Sequence, residues 1–150
     1  IEAGTRIGPF YDITLSFDYT YTNAKEETQY VTRRATYTPK NLFKGNLTYW
    51  APFGFTATAT FRYMGGRYFY GSDQTITDPE DTLDSYTTLD MRLEQRLLEN
   101  WIFSLEGNNL FNKSYDTYFG SFTDPATWQT SFGKYPGSER SVFFQVAYEF

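Results

Sequence analysis

Cysteine and histidine are both absent from this 150-residue chain. Their absence removes zinc and haem sites of the usual Cys/His type, Ser-His-Asp and Cys-His catalysis, and any disulfide framework. No apolar run approaches the ~18 residues that a spanning helix needs, and no basic, apolar leader opens the sequence. Neither a transmembrane helix nor a signal peptide is therefore expected within it. Basic charge is scarce: 13 Lys and Arg stand against 18 Asp and Glu, for a net charge of -5. The longest basic cluster is the pair Arg33-Arg34, so a phosphate backbone is a poor partner and no nucleic acid is expected. Aliphatic residues are few as well, with 18 Leu, Ile and Val against 32 Tyr, Phe and Trp. Phe raises the large apolar content above the range of a disordered chain, and aromatics carry most of the apolar surface.

What the sequence does have is two-residue alternation. Ile13, Leu15, Phe17, Tyr19 and Tyr21 interleave with Thr14, Ser16, Asp18, Thr20 and Thr22. The pattern returns at Phe55–Tyr63, at Leu89–Leu97, and at Ser141–Phe150, where it runs to the last residue. A strand sends such sets to opposite faces. Weaker strands are expected over 1–7, 36–50 and 101–110, giving seven strands and no helix. At ~3.3 Å per residue and a tilt of ~45°, about eleven residues span the ~25 Å apolar band of an outer-membrane barrel.

Short connections are expected at Gly8-Pro9, Ala51–Gly54 and Leu98–Asn100, and long polar segments at 23–35, 65–85 and 112–138. Short and long alternate, as in an up-and-down barrel with periplasmic turns at one end and external loops at the other. Phe10, Tyr11, Tyr49, Trp50, Phe53, Phe55, Trp101, Tyr148 and Phe150 fall near the short turns. Tyr19, Tyr21, Phe61, Tyr63, Tyr86 and Phe111 fall near the long loops. Two aromatic belts around an aliphatic band suit a bilayer, although alternation alone also fits a soluble sandwich. If the apolar set meets lipid, Arg62, Asp90, Arg92, Glu94, Arg96, Glu106 and Asn108 line the interior. A hairpin centred on residue 99 places Arg92 opposite Glu106 and Leu93 opposite Leu105. The charges then either contact a plug or solute, or neutralise one another across the wall. Seven strands do not close a bacterial barrel, which has an even count; an eighth would make the smallest complete one.

The run Gly107–Tyr115, the segment Tyr135–Arg140 and the alternating strand ending at Phe150 resemble the C-terminal end of TonB-dependent outer-membrane receptors of the siderophore-receptor type. Ala35–Lys40, Phe61–Tyr68 and Tyr86–Asp90 are similar to earlier barrel strands of the same family. The resemblance implies that residues 1–150 correspond to about the last seven strands of a 22-stranded barrel, with the plug domain and earlier strands outside this chain. It implies import of a scarce nutrient, most often a ferric siderophore, across the outer membrane of a Gram-negative bacterium, with energy from the TonB-ExbB-ExbD complex. It also implies that Phe144, Val146, Tyr148 and Phe150 form the signal read by the barrel-assembly machinery. No enzyme activity, cofactor or metal follows.

Under that reading a small-molecule ligand meets aromatic or charged loop residues: Tyr68, Phe69, Tyr70, Asp73, Tyr118, Phe119, Phe122 and Trp128. Aromatic surfaces suit planar ligands, and the competing role is packing of the loops together. The acidic run Asp78, Glu80, Asp81 and Asp84 lacks an EF-hand pattern and reads as a solvated loop. The physical role expected of Asn109 and Asn112 is to hold backbone groups at the top of a strand. A complete eight-stranded barrel with an adhesive or structural role is the main alternative; a barrel-type enzyme and a soluble carbohydrate-binding module are weaker ones.

Overall fold

The computed structural model describes residues 1–71 and 74–150, all strand, turn or loop without a helix among them. The elements are β1 (Glu2–Phe10), β2 (Ile13–Tyr21), β3 (Lys25–Glu27), β4 (Thr32–Arg34), β5 (Asn41–Ala51), β6 (Phe55–Met64) and β7 (Arg67–Phe69). They continue with β8 (Asp81–Leu83), β9 (Tyr86–Leu97), β10 (Trp101–Asn108), β11 (Asp116–Thr123), β12 (Thr130–Pro136) and β13 (Ser141–Tyr148). Seven form one antiparallel meander in the order β1-β2-β5-β6-β9-β10-β13. The seven expected strands are all present and adjacent as chain order dictates. The sheet has two outer strands, β1 and β13, and does not close on itself among the described residues, so no eighth strand completes a small barrel.

Where alternation is strongest the register follows it. Leu15 pairs with Leu47, Leu47 with Ala59 and Ala59 with Met91, while Ser16, Asn46, Thr60 and Asp90 form the matching polar row. Arg92 lies opposite Glu106 and Leu93 opposite Leu105, as the hairpin arithmetic requires. A one-residue slip would move every apolar side chain of a strand to the polar face, which keeps these registers unique. β5, β6 and β9 have 11, 10 and 12 residues. At about 3.3 Å per residue that is ~33–40 Å of strand, enough to cross an apolar band at a steep tilt.

Several expectations need correction. The first short turn is Tyr11-Asp12, not Gly8-Pro9, because β1 runs on to Phe10 and the register shifts between Ile7 and Phe10. Pro9 has no N–H for the ladder, so the chain bulges there, and Tyr11 and Asp12 adopt positive φ of 49° and 62°, the twist a two-residue hairpin favours. Gly8 has φ 110°, and a Cβ there would come 2.5 Å from the Ile13 carbonyl oxygen. β5 starts at Asn41, not 36; Tyr37 has φ 56°, and residues 35–40 form the lead-in to the strand rather than part of it. The long connections are not plain loops either: each carries a small hairpin, β3-β4, β7-β8 and β11-β12. Trp50 and Tyr86, expected in the aromatic belts, sit by register on the polar face, beside Thr48 and Thr88.

Among the described residues no core lies under the sheet: the buried hydrophobic ones are Ala51, Tyr70, Leu83 and Phe119, and the last three belong to the connections. Large apolar side chains along one face stay exposed, among them Ile13, Phe17, Leu47, Phe61, Met91 and Leu105. The accessible surface is 10491 Å². A folded water-soluble monomer of this mass would expose about 7,900 Å². The single layer and the excess surface dispose of the soluble sandwich. Leu47→Arg, at the centre of the apolar face, should destabilise the full-length protein in lipid vesicles by about 2–4 kcal/mol. Thr48→Arg, on the opposite face, should be nearly neutral; denaturant titration of both variants checks the difference.

Candidate functional site

Two regions carry chemistry: the polar face of the sheet and the cap formed by the long connections. On the polar face the notable feature is cancellation of charge. Arg62 is paired with Asp90, Arg92 lies 3.0 Å from Glu94 and 3.6 Å from Glu106, and Arg96 lies 2.7 Å from Glu149. Ser104 Oγ sits 3.4 Å from both Arg92 and Glu94. Further along, Asn46 donates to Ser16 and accepts from Thr60, tying β2, β5 and β6. The six charged positions expected on this face are thus brought together, and every one is paired. Each half-exposed pair contributes only about 0–1 kcal/mol in water, so the row sets the character of the wall more than its stability.

At the top of β10, Asn109 is buried with φ 48°. Its amide nitrogen donates to the Lys113 and Ser138 carbonyls at 2.9 and 3.0 Å, and its Oδ1 accepts from the Lys113 N–H at 3.0 Å. Its own N–H donates to Asp90 at 2.8 Å, linking the cap to the charged row. Asn112 accepts from the Arg140 N–H at 3.4 Å. Both asparagines hold backbone, as their placement suggested.

The cap is one cross-tied structure. Tyr37 stacks on Tyr118 at 5.0 Å and leans on Phe69 at 5.7 Å; Phe69 meets Phe119 at 4.5 Å, and Phe119 meets Phe132 at 6.4 Å. The Tyr37 hydroxyl donates to the Phe119 carbonyl. Burial, and then Tyr118, push the Tyr37 phenol above its ordinary range. Buried Arg67 donates to the Thr117 and Asp116 carbonyls at 2.8 and 2.7 Å and lies 5.8 Å over the Tyr86 ring, which itself stacks on Tyr115 at 4.0 Å. Lys134 joins Asp81 at 3.0 Å and the Thr82 carbonyl at 2.9 Å. Burial raises Asp81, but Lys134 and the Thr82 N–H outweigh it and hold the carboxyl below the usual range. The acidic run is therefore not merely solvated: Asp81 is a tie between two connections.

Within the first connection, Glu26 accepts from Arg33 Nε at 2.6 Å and from the Thr36 N–H and hydroxyl at 3.0 and 2.9 Å. The residue at the next position, Arg34, faces the other way, lying 5.0 Å over the Tyr68 ring and donating to its hydroxyl at 2.6 Å. Arg33 covers Tyr70 at 4.3 Å.

The loop aromatics named from sequence therefore divide. Phe69, Tyr70 and Phe119 pack the cap together; Tyr68 is covered by Arg34. Tyr118 is half exposed and Trp128 is 79% exposed at the β11-β12 turn, where its φ is 57°. Asp73 and the Phe122 side chain lie outside the described residues. Sequence reasoning passed over Tyr37, Arg67, Glu26 and Lys134. For Glu26 a signal existed: Lys25-Glu26-Glu27 and Thr32-Arg33-Arg34 are complementary short runs separated by turn residues.

Fold and site together define a piece of the wall of an outer-membrane-type β-barrel with its loop cap. The profile of the family described as TonB dependent receptor-like, beta-barrel, matches residues 1–110, and the chain belongs to that family. The family is one of receptors rather than enzymes. Among solved structures, the chain is similar to the closed form of the ferric-catecholate import receptor Fiu from E. coli, at 22% identity and a TM-score of 0.72 over 98% of this chain and 20% of that one. It is similar to the siderophore receptor PiuA from Acinetobacter baumannii, at 20% identity and 0.68 over 98% and 21%. It is also similar to the ferric yersiniabactin uptake receptor FyuA from Yersinia pestis, at 18% identity and 0.66 over 99% and 22%. The chain thus spans about a fifth of the length of these receptors. No curated protein matches significantly.

Removing the Asn109 side-chain amide strands the Lys113 and Ser138 carbonyls and the Lys113 N–H. Asn109→Ala should cost about 2 kcal/mol or more in the full-length protein, read by thermal unfolding. Burial raises Glu26, but the Thr36 and Arg33 hydrogen bonds outweigh it, so its folded value is depressed below 4.5. A depressed carboxylate stabilises the native state above its unfolded value and loses that contribution as pH falls through the folded one. Protection of the Thr36 amide against exchange, corrected for intrinsic rate, should therefore drop below about pH 4.5. In Glu26→Gln it should be lower and flat across that window.

Proposed function

We propose that this chain is the C-terminal part, residues 1–150, of the barrel domain of a TonB-dependent receptor in the outer membrane of a Gram-negative bacterium. The receptor imports a scarce nutrient, a ferric siderophore, with energy from TonB-ExbB-ExbD. The observation that carries this reading is the two-faced sheet, apolar on one side and polar with cross-strand ion pairs on the other, in a chain of this family. The apolar face meets lipid. The polar face lines the interior, where the plug domain and passing ligand contact Arg62, Asp90, Arg92, Glu94, Arg96 and Glu106. Paired charges present donors and acceptors without a strong net field, so a plug or a charged solute can slide past without being trapped.

Ligand capture falls to the cap. Trp128 and Tyr118 offer exposed ring surface to a planar ligand. Phe69, Tyr70 and Phe119 support these positions from within the cap. The strand ending in Phe144, Val146 and Tyr148, followed by Phe150, presents its aromatic edge to the barrel-assembly machinery, and the Trp101 and Phe150 rings flank Tyr148 at 5.0 and 5.2 Å.

Deleting the gene for the full-length protein should abolish uptake of one class of iron chelate in iron-starved cells, and complementation should restore it. In the complemented strain Trp128→Ala should weaken ligand binding several-fold with thermal stability unchanged, as loss of one exposed stacking ring predicts. Equal uptake of iron, catecholate and hydroxamate chelates with and without the gene would sink the siderophore reading.

A further inference from the structure

Where β2 ends and β5 begins, the outer rim of the sheet carries cations without anionic partners. Lys40 Nζ lies 5.5 Å over the ring of Tyr21. Tyr21 belongs to the apolar face, on the same side as Tyr19 and Asn41, which are joined by a 2.8 Å hydrogen bond. The Lys40 backbone is fixed there, its carbonyl accepting from the Thr22 N–H at 2.9 Å. The Lys40 ammonium is therefore held on the apolar side of the sheet at the level of the aromatic belt, not over the charged row. Arg34 shares a cleft with Lys40, together with Thr22 and Tyr68, and no carboxylate lines it. Tyr68 takes one N–H of Arg34, leaving the rest of its planar fork open. Across the small hairpin Lys25 pairs in register with Arg34, and the two line a second cleft whose one acid, Asp78, forms no ion pair with either. Among the described residues, none of the three forms an ion pair.

The polar face shows the contrast. There each arginine of β6 and β9 has a carboxylate within reach, whereas in a chain of net charge -5 these rim cations are left open. Two unpaired cations beside tyrosine rings, one of which, Tyr21, lies on the apolar face, match what a membrane interface presents, namely phosphate at headgroup depth with acyl chains below it. Tyrosine settles at that boundary, long basic side chains reach up to it, and a guanidinium binds phosphate through two parallel N–H bonds.

We propose that Arg34 and Lys40, flanked by Tyr21 and Tyr68, bind the phosphate of a phosphorylated glycolipid of the outer leaflet, seating the first connection against the membrane surface. The inference goes beyond nutrient uptake and rests only on the apolar face meeting lipid.

The test is native mass spectrometry of the detergent-solubilised full-length protein titrated with diphosphoryl lipid A. The wild type should retain the lipid, and the Arg34→Gln/Lys40→Gln double variant should lose about thirtyfold in affinity, as expected for two interfacial cations. Arg34→Lys, which keeps the charge, should recover part of the loss, and Lys113→Gln, a charge removed elsewhere in the cap, should match wild type. Equal binding of lipid A by wild type and double variant would overturn the proposal. Displacement by millimolar inorganic phosphate would overturn it too, because the site would then be one for soluble anions. Failure of the whole protein to fractionate with the outer membrane sinks the receptor reading as well. Unchanged lipid A binding in a double variant with normal uptake sinks this inference alone.

Discussion

Everything in this structure depends on a sheet that must satisfy its backbone without a second layer. β2, β5, β6, β9 and β10 each have a hydrogen-bonded strand on both sides, so the sheet can present an apolar face to a medium that offers no hydrogen bonds. Side chains then face only one decision, which of two environments they meet, and the two-residue period makes it for the whole strand at once. This explains how the chain can lack a buried core under its sheet and still be specified. The medium replaces the core, and register replaces jigsaw packing.

That arrangement moves the packing problem to the ends. Tyr70, Leu83 and Phe119 are buried in the connections, and the aromatic chain from Tyr37 through Phe69 and Phe119 to Phe132 does there what aliphatic residues do inside a globular domain. Long loops ordinarily cost conformational entropy; here the small hairpins, the Arg67 bonds to two carbonyls and the Lys134–Asp81 pair restrict them to a joint arrangement. Three connections that are far apart in sequence consequently share one packed unit above the sheet.

The wall was legible in the sequence because its information is local. Alternation at Ile13–Tyr21 or Leu89–Leu97 needs no knowledge of partners, and the pairing of Arg92 with Glu106 followed from counting outward from one turn. The cap was not legible because its contacts are non-local. Nothing near Phe69 or Phe119 announces that each ring meets another connection, so residues expected to face ligand turn out to be packing. The misplaced turn at Gly8-Pro9 has a similar origin. Gly-Pro signals an irregularity, but the sequence alone does not distinguish a bulge from a reversal, and the ladder from Glu2 to Ile7 decided for the bulge.

Charge is distributed by the same logic. On the polar face, cations and carboxylates sit at neighbouring register positions, where each pair contributes little energy yet cancels much of the local field. At the rim the register of the sheet ends: Lys40 extends from irregular backbone, and Arg34 from the short strand β4, where the residue opposite is Lys25 rather than an acid. A cation left open in an acidic chain raises the local potential without adding to the stability of the fold. Since ring faces of Tyr21 and Tyr68 already hold both cations in position, an incoming phosphate meets them with much of their side-chain entropy already lost, which favours binding over a random pair of surface lysines.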